Sequence, residues 1–338
     1  MKVTLKDIAE EVNLSISTVS RVLNNHANSI PEEMREKIFK ISKEMGYKKL
    51  NNRKNEKINE KKIGCVINNI KSKYQDPYFS EMIYGVEREL IEQGYKMSFS
   101  YNDKDLVHLD LKEEYKDDTL GVIVVGALHE DLLKNLSNSV PYVISVGGKP
   151  GLDIDYVTVD FKEAAKRATD YLIGLGHEKI ACISSSSSAL NIPAEEDDRF
   201  IGFQEVLASH KLQLKKEWIQ DGLFTIEGGY KAMKRILMDK ELPTAVFTAS
   251  DRMAHGAYKA IQEYGLSIPK DISIVSFDNI EMSKYVNPQL STIHVHKEEM
   301  GRIAVKMLLQ RMDDSIRFPL TTYLPTELIV RESCEPLT

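Results

Sequence analysis

The chain has 338 residues, 42% hydrophobic and 28% charged, with a formal net charge of −6, so it exceeds one small domain and has the apolar content for two or three cores. Three isolated cysteines, Cys65, Cys182 and Cys334, exclude a disulfide framework and a zinc ribbon, and no apolar run reaches membrane length. Residues 1–62 hold 14 Lys and Arg against 9 Asp and Glu, a net of +5 that leaves −11 for the rest, a basic head on an acidic body that suits nucleic-acid contact at one end.

The first element is a helix opening at Thr4, where Asp7 three residues on completes a capping-box pattern and Leu5, Ile8, Ala9 and Val12 share one face. Asn13 follows where a left-handed residue is needed, and Ser15 can cap a second helix from Ile16 to Asn24. Val19, Val22 and Leu23 face inward there, which leaves Ile16, Ser17, Thr18, Ser20 and Arg21 on an outer, readable face. Such a helix placed N-terminus first in the major groove brings short side chains to base edges. A third helix spans residues 31–45, with Pro31 at its first position, Gly46 beyond its end, and Met34, Ile38, Ile41 and Met45 as its apolar stripe. With no charged-then-apolar leader ahead of it, the chain is expected to be cytoplasmic.

Residues 48–62, KKLNNRKNEKINEKK, cannot form a packed core and read as a linker. From residue 63 short β-rich runs alternate with amphipathic helices. Strands are read at IGCVINN, YKMSFSY, GVIVVG, PYVISVG, KIACIS, TAVFTA, DISIVSF and STIHVH, and helices at residues 78–93, 162–175, 196–210, 227–240, 253–264 and 297–312. Near-continuous apolar strands between helices mean parallel sheets covered on both faces, and one sheet would be too large. The expected fold is therefore α/β: a three-helix helix-turn-helix head, then a body of two doubly wound subdomains.

The wording TLKDIAEEV, LS and STVSRVLN, followed by a helix from Pro31 to Gly46-Tyr47, resembles the LacI/GalR family of bacterial repressors, over essentially the whole chain. The resemblance implies a periplasmic-binding-protein-like body. Residues 1–47 form the head, 48–62 the hinge linker and 63–338 the body. The N-subdomain takes about 63–160 and 293–320, and the C-subdomain takes 161–292 and a final strand within 321–331. A homodimer on pseudo-palindromic double-stranded operator DNA is implied, with no cofactor and no membrane. Expected DNA contacts are Thr4, Leu5, Ser15, Ile16, Ser17, Thr18, Ser20, Arg21, Asn24 and Arg53. The linker departs from the family, because Glu56 stands where an apolar wedge for the minor groove is usual, and a carboxylate is repelled by phosphates.

Ligands bind beyond the carboxyl ends of parallel strands, which two facing subdomains turn into a cleft. By resemblance Tyr78, Phe79, Ser145, Arg199, Phe224, Ser250 and Asp278 line the effector pocket. An aromatic face, paired guanidinium donors and a carboxylate acceptor suit a sugar. Similarity of DPYF, VPYVISV and FTASDRMAHGA to repressors of galactoside operons points to a galactoside. Rival readings are a solute receptor for transport, a regulator answering to a nucleobase or a phosphoprotein, and, least, a sugar-modifying enzyme. Plainer readings remain for Arg199 as a surface partner of Asp197 or Asp198, Asp278 as a turn cap, and Phe224 as core. Gly174-Leu175-Gly176-His177 follows a helix and reads as a stop, and His294 with His296 lacks a third metal ligand.

Overall fold

A computed structural model describes residues 3–23, 30–45, 62–67, 76–102, 119–148, 150–186 and 192–337. Contacts divide the chain into Met1–Glu60 and Lys61–Thr338. In the first unit α1 (Leu5–Val12), α2 (Ile16–Leu23) and α3 (Glu32–Glu44) enclose buried Ile8, Ala9, Val12, Val19, Val22 and Ile38. The capping box forms: the Asp7 carboxylate accepts the Thr4 N–H at 2.7 Å, and the Thr4 hydroxyl accepts the Asp7 N–H at 3.3 Å. Asn13 takes φ 57°, ending α1 in the left-handed region that Asn tolerates. Ser15 then accepts the Thr18 N–H at 3.1 Å to start α2. Asn24 and the linker residues Leu50, Arg53, Glu56 and Ile58 lie outside the described residues.

The second unit contains two six-stranded sheets. The elements run β1 (Lys62–Ile67), α4 (Pro77–Glu92), β2 (Met97–Asn102), β3 (Thr119–Val125), α5 (Glu130–Ser137), β4 (Tyr142–Val146), β5 (Asp155–Val159) and α6 (Phe161–Gly174). They continue with β6 (Ile180–Ser184), α7 (Asp198–Ser209), β7 (Ile219–Asp221), α8 (Ile226–Leu237), β8 (Ala245–Thr248) and α9 (Asp251–Glu263). Last come β9 (Ser273–Asp278), β10 (Ser291–Val295), α10 (Lys297–Met312), β11 (Thr321–Leu324) and β12 (Thr326–Ile329). Sheet one has the order β11-β5-β4-β3-β1-β2 and sheet two β12-β10-β9-β8-β6-β7. Strands β3, β5, β6, β8 and β9 are buried along their whole length, as strands covered on both faces must be. Among the described residues no helix is long and apolar enough to cross a membrane.

All eight strands read from the sequence form. The strands β5 and β7 and the helix α5 escaped the reading, because five, three and eight residues are too few for a period to stand out. Two subdomain boundaries are corrected. Strand β10 pairs in parallel with β9 in sheet two, so the chain returns to the first subdomain only after Val295, two residues beyond the expected start of that segment at 293. The final run, expected as one strand with the C-subdomain, is two: β11 pairs with β5 in sheet one, and β12 pairs antiparallel with β10 in sheet two. Pro325 between them has no N–H for a ladder, which separates the two pairings. The single antiparallel pair is the one departure from parallel sheets among the described strands.

Candidate functional site

The strand ends of both sheets face one cleft, and what each loop presents there follows from local caps. Asp76 precedes α4 and accepts the Tyr78 N–H at 3.0 Å, with Pro77 at the first helical position. That start sets Tyr78 and Phe79 side by side, their rings edge to face with centroids 5.2 Å apart. The Tyr78 hydroxyl is buried without a hydrogen-bond partner. A Cβ on Gly147, at the end of β4, would stand 3.9 Å from it. Burial, then the Asp278 charge, pushes this phenol far above its ordinary range, so it stays a neutral donor. Ser145 is buried within β4, and its Oγ closes on Gly148 tightly enough that a Cβ there would meet it at 2.5 Å.

On the facing subdomain, Asp197 caps α7 through the Arg199 N–H and then holds the guanidinium in a fork, Nε to Oδ1 at 2.8 Å and Nη2 to Oδ2 at 2.7 Å. Both side chains are mostly buried, so this is an internal pair and not the surface pairing weighed from the sequence. Burial works to raise the Asp197 carboxyl, but the Arg199 charge and hydrogen bonds outweigh it and hold it below its ordinary value. Three rings surround the guanidinium: Phe224 at 4.7 Å, Phe161 at 4.9 Å and Phe277 at 5.7 Å from its carbon. Phe224, at φ 50° on a loop before α8, packs against the hydrophobic core as well as over the guanidinium.

Asp278 ends β9 at φ 113°, and no donor among the described residues reaches its carboxylate. It is therefore not the cap of the following turn. Asp251 does that, accepting from the Ile280 N–H at 2.9 Å, the Ser283 hydroxyl at 2.6 Å and the Thr292 hydroxyl at 2.6 Å. Burial, then the Asp251 charge, raises the Asp278 carboxyl well above its ordinary range. Ser250 caps α9 by accepting the Met253 N–H at 3.4 Å, which engages its hydroxyl in structure.

The structure thus gathers Tyr78, Phe79, Arg199, Phe224 and Asp278 about the cleft, with Ser145 and Ser250 buried in its walls. Sequence reasoning singled out neither Phe161 nor the fully buried Phe277, which pack beside the guanidinium, nor the ion pair of Arg252 on α9 with Asp76 across the cleft. Asp76 preceding Pro-Tyr-Phe and Arg252 following Ser-Asp gave a signal only at the level of sharing strand ends. His294 and His296 meet edge to face at 4.5 Å, with Nε2 and Nδ1 3.2 Å apart.

Residues 4–49 match the model described as bacterial regulatory proteins, lacI family, and residues 169–334 that of a periplasmic binding protein-like domain. The chain is similar to the HTH-type transcriptional repressor MelR of Bacillus subtilis (strain 168), at 33% identity over 98% of this chain and 97% of that protein. It is also similar to the HTH-type transcriptional repressor PurR of Haemophilus influenzae (strain PittEE), at 31% identity over 99% of each. Among solved structures, a LacI family transcriptional regulator from Enterococcus faecium with bound ribose matches 82% of this chain and 100% of its own at 28% identity, with a TM-score of 0.70.

Proposed function

Because the chain belongs to the LacI family of bacterial regulatory proteins and is a DNA-binding transcriptional repressor, we propose that it controls a sugar-utilisation operon and is itself controlled by an uncharged sugar, first of all a galactoside, held in the cleft. The observation that carries this reading is the Asp278 carboxylate, which no donor among the described residues reaches, within range of the Arg199 charge and of the buried, unpartnered Tyr78 hydroxyl. Sugar hydroxyls donate to this carboxylate while their oxygens accept from Arg199 and from Tyr78, whose buried hydroxyl is costly to leave without a partner. Phe79 and Phe224 offer faces for the C–H side of the ring. The ribose-bound regulator supports a sugar as the ligand class.

Residues 1–47 read the operator, with Ile16, Ser17 and Arg21 of α2 as base contacts, and residues 63–338 sense the effector. Two heads of one homodimer engage two half-sites. Tyr84 and Ile91, seven residues apart and exposed on the outer face of α4, offer an apolar stripe for that pairing. The effector acts by binding the two subdomain arrangements unequally, since a ligand indifferent to them shifts nothing.

A thermal-shift screen of galactose, α- and β-galactosides, ribose and purines tests the ligand class. A galactoside at a hundredfold its Kd should stabilise by about 2.7 kcal/mol, and Arg199→Ala or Asp278→Ala should abolish the shift while sparing operator binding. Stabilisation by purines alone would transfer the cleft to a nucleobase.

A further inference from the structure

Lys297 is the first residue of α10, where the chain crosses from sheet two to the helices of sheet one, and its side chain is completely buried. Its ammonium donates to the Asp278 carbonyl at 2.7 Å, the Asn279 carbonyl at 3.3 Å and the Val295 carbonyl at 3.4 Å. A fourth oxygen, Oε2 of Glu81 on α4, lies 3.3 Å away in the opposite subdomain.

The turn it grips is strained. Asp278 and Asn279 both have positive φ, 113° and 52°, which side chains other than glycine rarely adopt and which persist only when neighbours over-determine them. Arg331 and His294 fix the Asn279 side chain at 2.7 Å and 3.0 Å, and Thr292 accepts its N–H at 3.3 Å. Lys297 supplies the grip on the carbonyl side. On its other flank α10 crosses α4 at van der Waals range. A Cβ on Gly85 would fall 2.0 Å from the Glu298 carbonyl, and one on Gly301 would fall 2.1 Å from that of Met82. Glu81 is one turn before this crossing, so a shift of α4 cannot bypass the lysine.

We infer that Lys297 is a positioning residue for effector control: it holds the Asp278 turn in the conformation that points the carboxylate into the cleft, and it ties that turn to α4 of the other subdomain through Glu81. The inference rests on Asp278 as an effector ligand for its functional meaning, but the linkage exists without a ligand. A sugar entering the cleft pulls on a turn whose carbonyls share one ammonium with the facing subdomain, so binding and subdomain orientation are coupled at this point.

Hydrogen–deuterium exchange on the ligand-free full chain tests it, which keeps the outcome independent of any sugar screen. In Lys297→Met the methionine fills the space but donates nothing. Exchange at the Asn279 and Ile280 amides should rise roughly tenfold or more, the equivalent of losing a bond from a charged donor. Lys297→Arg, which keeps donors and charge, should restore protection. Glu81→Gln is the decisive variant: it should raise exchange at residues 279 and 280 although Glu81 lies on the opposite subdomain, and it stays informative if the methionine variant does not fold. Wild-type protection at 279–280 in Lys297→Met would reduce the lysine to packing, and loosening confined to α4 in Glu81→Gln would sever the proposed link.

Discussion

Asp76→Asn isolates the electrostatics of the cross-cleft pair, because the asparagine oxygen can still accept the Tyr78 N–H and keep the cap of α4. What it removes is the charge that meets Arg252. Two unit charges at 4 Å in a medium of effective dielectric near 20 attract by about 4 kcal/mol. The Arg252 side chain is 28% exposed and Asp76 11%, so solvent screening and desolvation offset much of that. A value of about 1–2 kcal/mol lies between exposed pairs and fully buried ones. The ratio of closed to open body should then fall by roughly 5–30-fold. Small-angle scattering of the effector-free protein reads this as an increase in radius of gyration, present in Asp76→Asn at low salt and approached by the wild type only as salt is raised. Arg252→Gln should expand the body equally, and combining the two should add nothing. Wild-type scattering from Asp76→Asn at every salt concentration, or expansion that is additive in the double variant, would show that the pair does not hold the cleft.

Substituting Ile16, Ser17 and Arg21 on α2 should change which operator is preferred, at roughly 1–3 kcal/mol per good base contact; a selection from randomised half-sites that returns the same sequence would refute that assignment. Asp278 binds its proton more readily folded than unfolded, where the ordinary value is 3.8. Its contribution to stability is therefore full below that value and is lost as pH rises through the higher folded one. Asp278→Asn should remove the loss, so its advantage in unfolding temperature over the wild type should widen from about pH 5 to pH 8; parallel pH profiles would contradict the burial argument. In the linker, neutralising three of Lys48, Lys49, Arg53, Lys54, Lys57, Lys61 and Lys62 should flatten the slope of log affinity against log salt by up to about 3 per protomer. Glu56→Leu should tighten binding and increase operator bending, and an unchanged salt slope in the cation variants would shift the linker's role from phosphates to an apolar wedge.

The head and the eight principal strands were legible because their signals are local: Thr4 with Asp7, Asn13 at a left-handed turn, and apolar runs bounded by Gly, Pro or Asp. The final run was not, since one proline decides whether TTYLPTELI is a single strand or two serving different sheets. In the cleft, a residue could be placed at a strand end but its engagement could not. Arg199 and Asp197 are two positions apart, and their spacing does not reveal that three phenylalanines from separate elements bury the pair. Ser250 and Asp278 occupy comparable strand ends, yet the first is consumed by a helix cap and the second left unmatched because Asp251 takes the turn. Lys297 reads as one more lysine at the start of an amphipathic helix. Its burial depends on carbonyls 18 and 19 residues earlier in the chain, a proximity only the fold creates.

The chain passes between the two sheets three times, after Val159, after Val295 and after Leu324. The strands that make these passes, β5 with β11 and β10 with β12, are neighbours at one border of each sheet. Three crossings at one border of each sheet favour rotation of the subdomains about that border. Strand β1, which leads to Asp76, lies four places from β11, so at a spacing of about 4.8 Å per strand it sits on a lever arm of roughly 19 Å. A turn of only about 5° on such an arm sweeps roughly 1.7 Å, enough to carry the Arg252 guanidinium beyond hydrogen-bonding reach of Asp76. The mechanical gain of this layout means that a small displacement where Lys297 ties the turn to α4 is read out as a large one at the Asp76–Arg252 pair.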